Sequence, residues 1–198
     1  MKKFELTTES ITNEAGKKLF RIKALIDFGD VKAGEPGGYV EKEGNVSQDD
    51  NAWVSGDAEV FGNAKVSGNA KVFGNAKVYD NAWVSGDAKV YDNAWVYDNA
   101  RVSGNAWVSG DAWVSGDALV FGDADYALVQ GFGTEFRCTT FYRGKNKKIM
   151  VNCGCFHGDL EGFRKQVKET RNGKIAKEYL MIADLMEYHF TSEDSSDE

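Results

Sequence analysis

Hydrophobic and polar positions alternate with an unbroken six-residue period between Asn51 and Gly122, where one hexad occurs twelve times. Each hexad has Asn or Asp, then Ala, a variable residue, Val, a second variable residue, and Gly or Asp. Because residues two apart on an extended segment share a face, Ala and Val point to one side and the variable positions to the other. Gly or Asp followed by Asn or Asp supplies a corner, since these residues tolerate turn and left-handed conformations. The pattern predicts short strands and tight corners that stack as the coils of a solenoid.

The hexad resembles the repeat of left-handed parallel β-helices, in which an aliphatic residue is followed four positions later by a small one, as Val54 is by Ala58. The resemblance implies that three hexads form one coil of eighteen residues, so that the twelve hexads form four coils. The expected fold class is mainly β: a left-handed parallel β-helix, or hexapeptide-repeat solenoid, with an N-terminal β cap and a small C-terminal α+β domain.

The segment before the repeat predicts a cap. Residues 1–50 contain alternating stretches that favour strands, with a hairpin turn expected around Asn13–Gly16. They also contain a first irregular coil, because Val46 is separated from the regular hexads by a two-residue insertion at Ser47–Asp50. Such a cap would cover the open edge of the solenoid, which we place at residues 51–130.

The segment after the repeat predicts a ββαα domain over residues 131–190. Its strands are expected at Thr139–Arg143 and Ile149–Cys155, and its first helix begins near Asp159, a favourable N-cap. Residues 191–198 form an acidic tail that we expect to be disordered. Apolar residues at helical spacing predict the buried faces of the two helices: Leu160, Phe163 and Val167 in the first, and Ile175, Tyr179, Ile182, Met186 and Phe190 in the second.

Two segments carry a family resemblance. RIKALIDFGDVKAGEPGGYVEKEGNVSQ, followed by NAWV, resembles the N-terminal part of YdcK-like hexapeptide-repeat proteins, which are abundant in bacteriophages and prophages. The run from TTFYRGKNKKIM to DLMEYHF resembles a domain that often follows such solenoids in phage and prophage proteins of Gram-positive bacteria. The family is often labelled as acyltransferases because of its repeat, but the resemblance brings no catalytic residues to this sequence.

An eighteen-residue coil sorts the variable positions into columns on three outward faces, and the second face is the richest in aromatic residues. All five tryptophans of the chain, Trp53 and Trp83 among them, occupy outward positions. Exposed aromatic patches are typical of interaction sites. Two other roles for these aromatic residues are open: they could stack between coils without any partner, or form a homo-oligomer interface. The predicted partner-binding residues are Phe61, Tyr79, Trp95, Tyr97 and Trp113.

Composition narrows the class of partner. The formal net charge of −7 opposes nonspecific binding to phosphate backbones, so nucleic acid is not expected as a partner. The N-terminus lacks the apolar region of a signal peptide, and no stretch is long and apolar enough for a membrane span. The three cysteines all lie in the last third and do not form a disulfide framework. We therefore expect a protein of the host bacterial cytoplasm with no membrane partner.

Candidate chemistry is sparse. Hexapeptide acyltransferases use a histidine near a loop that interrupts the coils, whereas the histidines here, His157 and His189, lie outside an uninterrupted repeat. We therefore predict neither enzymatic activity nor a cofactor. Gly131–Gly133 lacks the third glycine of a phosphate loop and is expected to be a flexible joint between domains.

One cluster offers metal ligands. Cys138, Cys153, Cys155 and His157 would supply three sulfurs and an imidazole to a zinc ion. The Cys-Gly-Cys spacing differs from the usual Cys-x-x-Cys, and cysteines are also common as small apolar core residues. No metal is therefore predicted, and these four residues are the only weak candidates.

The expected function is that of a non-enzymatic, phage-type β-solenoid that inhibits a host defence protein by direct binding. Its partner would be a host protein or a second copy of the chain, as a dimer or trimer. Three other functions are open at this point: sequestration of a small nucleotide or sugar at subunit interfaces, acyl transfer by the hexapeptide repeat, and a structural role in the virion.

Overall fold

The computed structural model describes residues 2–191, and its first strands form the predicted N-terminal cap. The amide of Gly16 donates to the carbonyl of Asn13 at 2.9 Å, which confirms the predicted hairpin turn. The second strand of the hairpin also pairs antiparallel with a third strand, and this third strand begins the coils. The three strands are β1 (Phe4–Thr12), β2 (Lys18–Ala24) and β3 (Pro36–Val40).

Each hexad contributes one two-residue strand, formed by its third and fourth residues. Strands three hexads apart pair in parallel: Lys89 is paired with Lys71 on one side and with Trp107 on the other. The coil of eighteen residues is therefore confirmed. The strands are β4 (Trp53–Val54), β5 (Glu59–Val60), β6 (Lys65–Val66), β7 (Lys71–Val72), β8 (Lys77–Val78), β9 (Trp83–Val84), β10 (Lys89–Val90), β11 (Trp95–Val96), β12 (Arg101–Val102), β13 (Trp107–Val108), β14 (Trp113–Val114) and β15 (Leu119–Val120).

Three parallel sheets form the sides of the solenoid. The first face consists of β4, β7, β10 and β13, and the third of β6, β9, β12 and β15. The second face runs through β3, β5, β8, β11 and β14, and it is extended by β2 and β1 of the cap. The Ala and Val residues of every hexad are buried between the faces and form one continuous core. The chain is thus a mainly β solenoid with a small C-terminal region.

The corners adopt the conformation that their residues favour. Position six of the hexad has a positive φ wherever Asp replaces Gly, with values of 57° to 58° at Asp80, Asp92 and Asp98. Seven of the asparagines at position one of the hexad donate their side-chain amides to the residue one coil further on. Asn81, for example, donates to Asn99 at 3.3 Å. These ladders satisfy polar groups at each corner and help to fix the register of the coils.

The first coil is irregular, as predicted. Val40 pairs with Val60 and Val46 with Val66, so the spacing between neighbouring coils is twenty residues there instead of eighteen. The two extra residues lie in the insertion at Ser47–Asp50, beyond a short 3-10 helix at Glu43–Asn45.

Its outward position does not leave Trp53 exposed. Its indole ring is buried under the N-terminal cap, with ring centroids 6.2 Å from Phe4 and 5.3 Å from Phe28. The residue still occupies an outward position of its hexad. The cap covers that position because β1 and the segment before β3 fold over the first regular coil.

The C-terminal region contains a four-stranded antiparallel sheet, where the sequence predicted two strands. The sheet begins at residue 126, so it takes in the end of the range 51–130 that we had assigned to the solenoid. Short 3-10 helices at Asp123–Asp125 and Lys145–Lys147 flank the first two strands. The four strands are β16 (Tyr126–Phe132), β17 (Arg137–Arg143), β18 (Ile149–Cys153) and β19 (Phe156–Asp159). Gly131–Gly133 therefore belongs to the end and turn of a hairpin and is not a joint between domains.

Two helices complete the fold, α1 (Leu160–Thr170) and α2 (Gly173–Thr191). Asp159 caps α1, because its side chain accepts a hydrogen bond from the amide of Gly162 at 2.9 Å. Apart from half-buried Ile175, the apolar positions predicted for the two helices are buried against the sheet, together with Ala183. The acidic tail that we predicted lies, after its first residue, outside the described residues.

Candidate functional site

Aromatic side chains form two neighbouring columns on the second face. Tyr79 and Tyr97 stack with ring centroids 5.0 Å apart and planes inclined by 2°. Trp95 and Trp113 stack beside them at 5.2 Å and 10°. Tyr79 also meets Trp95 edge to face at 6.3 Å, which links the two columns. We call these four residues the aromatic lane.

Phe61, which the sequence placed in the same binding surface, is not accessible. Its ring continues the tyrosine column, 5.0 Å from Tyr79, but it is only 8% exposed. Leu19 of β2 and Tyr39 of β3 pack with it in a small apolar cluster. The N-terminal hairpin therefore covers the upper end of the column, and Phe61 anchors this cap.

The turn of the same hairpin overhangs the lane. The carboxylate of Glu14 lies 3.4 Å from the ammonium of Lys77, which in turn lies 5.1 Å from the centre of the Trp95 ring. Asn13 donates to the carboxylate of Glu59 at 3.1 Å. Burial beneath this turn raises the pKa of Tyr79 above its ordinary value, so its phenol stays neutral at physiological pH.

The C-terminal sheet closes the lower end. The backbone amide of Trp113 donates to the hydroxyl of Thr140 at 3.0 Å, and its carbonyl accepts from the amide of Asn152 at 2.8 Å. These side chains replace the next strand, which the open edge of β14 would otherwise require. Ser115, one rung below Tyr97, is buried and lies 3.3 Å from both the Tyr142 hydroxyl and Nδ1 of His157.

A cavity of about 400 Å³ opens between the lane and this sheet. Trp113 and Phe136 supply aromatic surface, and Arg137 and Asp111 supply charge. Burial raises the pKa of the Cys138 thiol in its wall to about 11, so this cysteine is neutral at physiological pH. The cavity could hold a side chain of a partner or a small ring-containing molecule.

Carboxylates line both edges of the lane, because most of the corners that flank the strands of the second face carry Asp. One edge forms a shallow groove that includes Asp80, Asp98 and Asp117. The opposite corner carries Asp57, Asp92 and Asp111. The lane is thus an apolar strip between two acidic borders.

The cysteine and histidine residues that were weak candidates for metal ligands are not brought together. The chain reverses at Gly154, where φ is 59°, so Cys155 lies exposed in the turn between β18 and β19. Cys153 accepts a hydrogen bond from Thr139 at 3.1 Å, and His157 lies 2.5 Å from Asn152. Within residues 2–191, no three His, Cys, Asp or Glu side chains are placed to share a metal ion.

A comparison with known families agrees with this geometry. Residues 94–110 match the family model of the YdcK beta-solenoid repeat. The match covers seventeen residues, nearly one coil, and it supports a YdcK-like β-solenoid. It includes Trp95 and Tyr97 of the lane. No curated protein matches the chain.

The remaining tryptophans occupy the other two faces of the YdcK-like solenoid. Trp83 and Trp107 are 44% and 46% exposed, compared with 37% for Trp113. Arg101 lies over the ring of Trp83 at 5.7 Å, and Lys89 lies over Trp107 at 4.0 Å. Phe73 and Tyr91 also stack on the first face, at 4.9 Å and 5°. The lane differs because its four rings form one connected group of two stacked columns. No helix within the described part of the chain has the length and hydropathy needed to cross a bilayer.

Sequence reasoning missed the residues that close the lower end of the lane, Thr140 and Asn152. One signal was present in the repeat itself. The outer column that carries Phe61, Tyr79 and Tyr97 ends with the small polar Ser115, and this change marks the rung against which the C-terminal sheet packs.

Proposed function

We propose that this YdcK-like solenoid is a non-catalytic binding protein whose aromatic lane contacts one surface of another protein. The observation that carries the proposal is the continuous run of stacked, partly exposed rings between the two caps. Rings that are already stacked lose little conformational entropy on binding, and Tyr and Trp are frequent anchors of protein interfaces.

The acidic borders indicate the chemistry of the partner. Arginine stacks on Trp and Tyr rings and also pairs with carboxylates, so a basic partner surface with arginine side chains matches both features of the lane. The net charge of −7 would speed association with such a surface, and this effect would weaken as salt increases. The resemblance to phage and prophage solenoid proteins supports a host defence protein as this partner, inhibited by direct binding.

The uninterrupted solenoid supports a non-catalytic role. The regular coils between Asn51 and Gly122 contain no histidine, and each coil follows the previous one at the same eighteen-residue spacing. A loop that could position a general base is therefore missing from this part of the chain, which disfavours acyl transfer.

The test compares two matched double variants. Trp95→Ala/Trp113→Ala removes the tryptophan column of the lane, whereas Trp83→Ala/Trp107→Ala removes two exposed tryptophans from the other faces. The partner is captured from host lysate, identified by mass spectrometry, purified and titrated by calorimetry. We expect the lane variant to weaken binding at least about 100-fold, since interface anchors often contribute 2 kcal/mol or more each.

Both variants must retain the circular dichroism spectrum of the unsubstituted chain. Equal affinity of the lane variant and the unsubstituted chain for the purified partner would exclude the lane. The inhibitory role is tested separately, by the activity of the purified partner with and without the solenoid protein.

The cavity beside Trp113 supports a second candidate, sequestration of a small nucleotide or sugar. Here one chain provides the whole cavity, whereas the sequence suggested sites between subunits. A thermal-shift panel of nucleotides and sugars tests this function, because a ligand that binds the folded state raises its melting temperature. Arg137→Ala should abolish a genuine shift.

A further inference from the structure

Helix α2 has a second apolar stripe on its solvent side. The inner side packs against α1 and the sheet through residues such as Tyr179 and Met186. On the outer side, Met181, Leu185 and Tyr188 are 61%, 58% and 72% exposed. Their spacing of four and three residues places them on one face of the helix. Single exposed apolar residues are common, but a stripe of three large ones on one helix is typical of a contact surface.

Charge is distributed unevenly along the same helix. Its N-terminal half contains Lys174 and Lys177, together with Glu178, which pairs with Lys174 at 3.4 Å. Its C-terminal half contains Asp184 and Glu187. The two carboxylates share the guanidinium of Arg164, at 2.8 Å and 2.7 Å, with a third carboxylate from α1. Three carboxylates on one guanidinium leave that end of the helix negative, while the two lysines and Glu178 leave the other end with one net positive charge.

This pattern is self-complementary. If two copies of α2 pack antiparallel about a two-fold axis, the basic half of each helix faces the acidic half of the other, and the two stripes meet. Parallel packing would oppose like charges at both ends. We propose that the outer stripe of α2 is a homodimer contact, in which α2 pairs antiparallel with α2 of a second copy around Met181 and Leu185.

The size of the contact sets its strength. A helix of 19 residues is about 28 Å long and, with side chains, about 10 Å wide. The contact therefore covers roughly 300 Å² on each copy, well below the roughly 800 Å² of a standard stable interface. The dimer is thus a weak one, with a dissociation constant in the micromolar range or above. The pairing is independent of the aromatic lane, which lies on the solenoid.

Sedimentation velocity of the full chain, from about 1 μM to about 500 μM, tests this contact. The expected result is a monomer–dimer equilibrium that stops at two copies. Met181→Glu/Leu185→Glu should remain monomeric throughout, because it puts like charges in the centre of the contact. The matched control, Trp83→Glu/Trp107→Glu, places the same charges at exposed apolar residues of the solenoid and should dimerise like the unsubstituted chain.

An unsubstituted chain that stays monomeric, or a helix variant that still dimerises while retaining its circular dichroism spectrum, would overturn the proposal. Monomer behaviour combined with stripe-dependent capture of another protein would assign the stripe to a different partner.

Disulfide crosslinking tests the orientation. Leu185→Cys lies near the proposed axis and should crosslink to itself, whereas Lys174→Cys would lie about 25 Å from its counterpart and should not. The unsubstituted chain, with its three native cysteines, gives the background. Equal crosslinking of the two variants would indicate a parallel pair and refute the antiparallel one.

Discussion

Lys3 is a buried cation of the N-terminal cap. Its ammonium donates to the carbonyls of Asp50 and Ala52 at 2.7 Å and 2.8 Å, and the Asp50 carboxylate lies further away at 3.9 Å. Carbonyl oxygens and one distant carboxylate do not fully replace water around a charge. Burial accordingly lowers the pKa of Lys3 from 10.5 to about 8.

This pKa predicts an unusual dependence of stability on pH. Below pH 8 Lys3 is charged in both the folded and the unfolded chain, and between about pH 8 and 10.5 the unfolded chain binds more protons. The free energy of unfolding should therefore rise with pH across this window, by on the order of 2–3 kcal/mol from this residue. Urea denaturation of the unsubstituted chain and of Lys3→Met at pH 7.5, 9 and about 10 measures the difference between them.

Lys3→Met serves as the reference because other groups also titrate in this pH range. The raised pKa of Cys138, about 11, works in the opposite direction above pH 9 and is common to both proteins. A difference between the two proteins that stays constant with pH would show that Lys3 keeps its charge when buried.

At the scale of the coil, a corner glycine must adopt a positive φ and must also leave room for the backbone of the next coil. Gly68 has a φ of 68°, and a Cβ there would lie 3.0 Å from the backbone nitrogen of Gly86 in the next coil. Gly16, in the cap hairpin, has a φ of 72° with no atom within 4 Å of such a Cβ. Gly16→Ala should therefore cost about 1–2 kcal/mol of stability through backbone strain alone, and Gly68→Ala roughly 1–3 kcal/mol more. Thermal and urea denaturation compare the two variants; equal losses would mean that the coils separate easily enough to admit the methyl group.

The contact between the solenoid and the C-terminal sheet depends strongly on one amide. Asn152 is buried, and its side chain donates to the carbonyl of Trp113 at 2.8 Å and to the hydroxyl of Ser115 at 3.1 Å. Asn152→Ala leaves that carbonyl without its donor and should cost about 1–3 kcal/mol.

Hydrogen exchange shows which part of the molecule loses stability in this variant. Amides of β14 and of the C-terminal sheet should exchange faster in Asn152→Ala, while those of β5 near the other end stay protected. Uniform loss of protection along all coils would instead indicate that the solenoid and the sheet unfold as one unit.

How much of this could be predicted differs between elements. The hexad specifies the coils because each Ala and Val has the same surroundings one coil away, and local spacing alone reveals this. Strand β16 was missed because its pairing with β17 depends on tertiary contacts that no period in the sequence reports. The pattern correctly directs Trp53 and Phe61 outward. Their burial was missed because segments of the cap cover them, and the repeat does not encode the position of those segments.

The whole molecule is a stack of coils closed at both ends. The hairpin extends the second face by antiparallel pairing, and side chains of the C-terminal sheet bond to the last strand of that face. Between these caps, the aromatic lane keeps its rings stacked but partly exposed. The two caps thus define the length of the accessible surface, and loss of either should expose an open sheet edge as well as additional rings.

Two leucines of the cap test this view. Leu19 is fully buried against Tyr39 and Phe61, whereas Leu25, just beyond β2, is 40% exposed. Leu19→Asp buries an unpaired carboxylate and removes the apolar contact, which should cost about 2–5 kcal/mol and detach the hairpin. Leu25→Asp makes the same chemical change at an exposed site and should cost less than about 0.5 kcal/mol.

Detachment should leave β3 as an open edge next to the uncovered Phe61 ring, so that solenoids associate end to end. Light scattering is measured in the Met181→Glu/Leu185→Glu background, where the proposed pairing of α2 cannot contribute. Leu19→Asp should then form species larger than a monomer and melt at a lower temperature, while Leu25→Asp stays monomeric. If Leu19→Asp melts earlier yet remains monomeric, the hairpin stabilises the coils without being needed to block their edge, and the closing role passes to β3 and the first irregular coil.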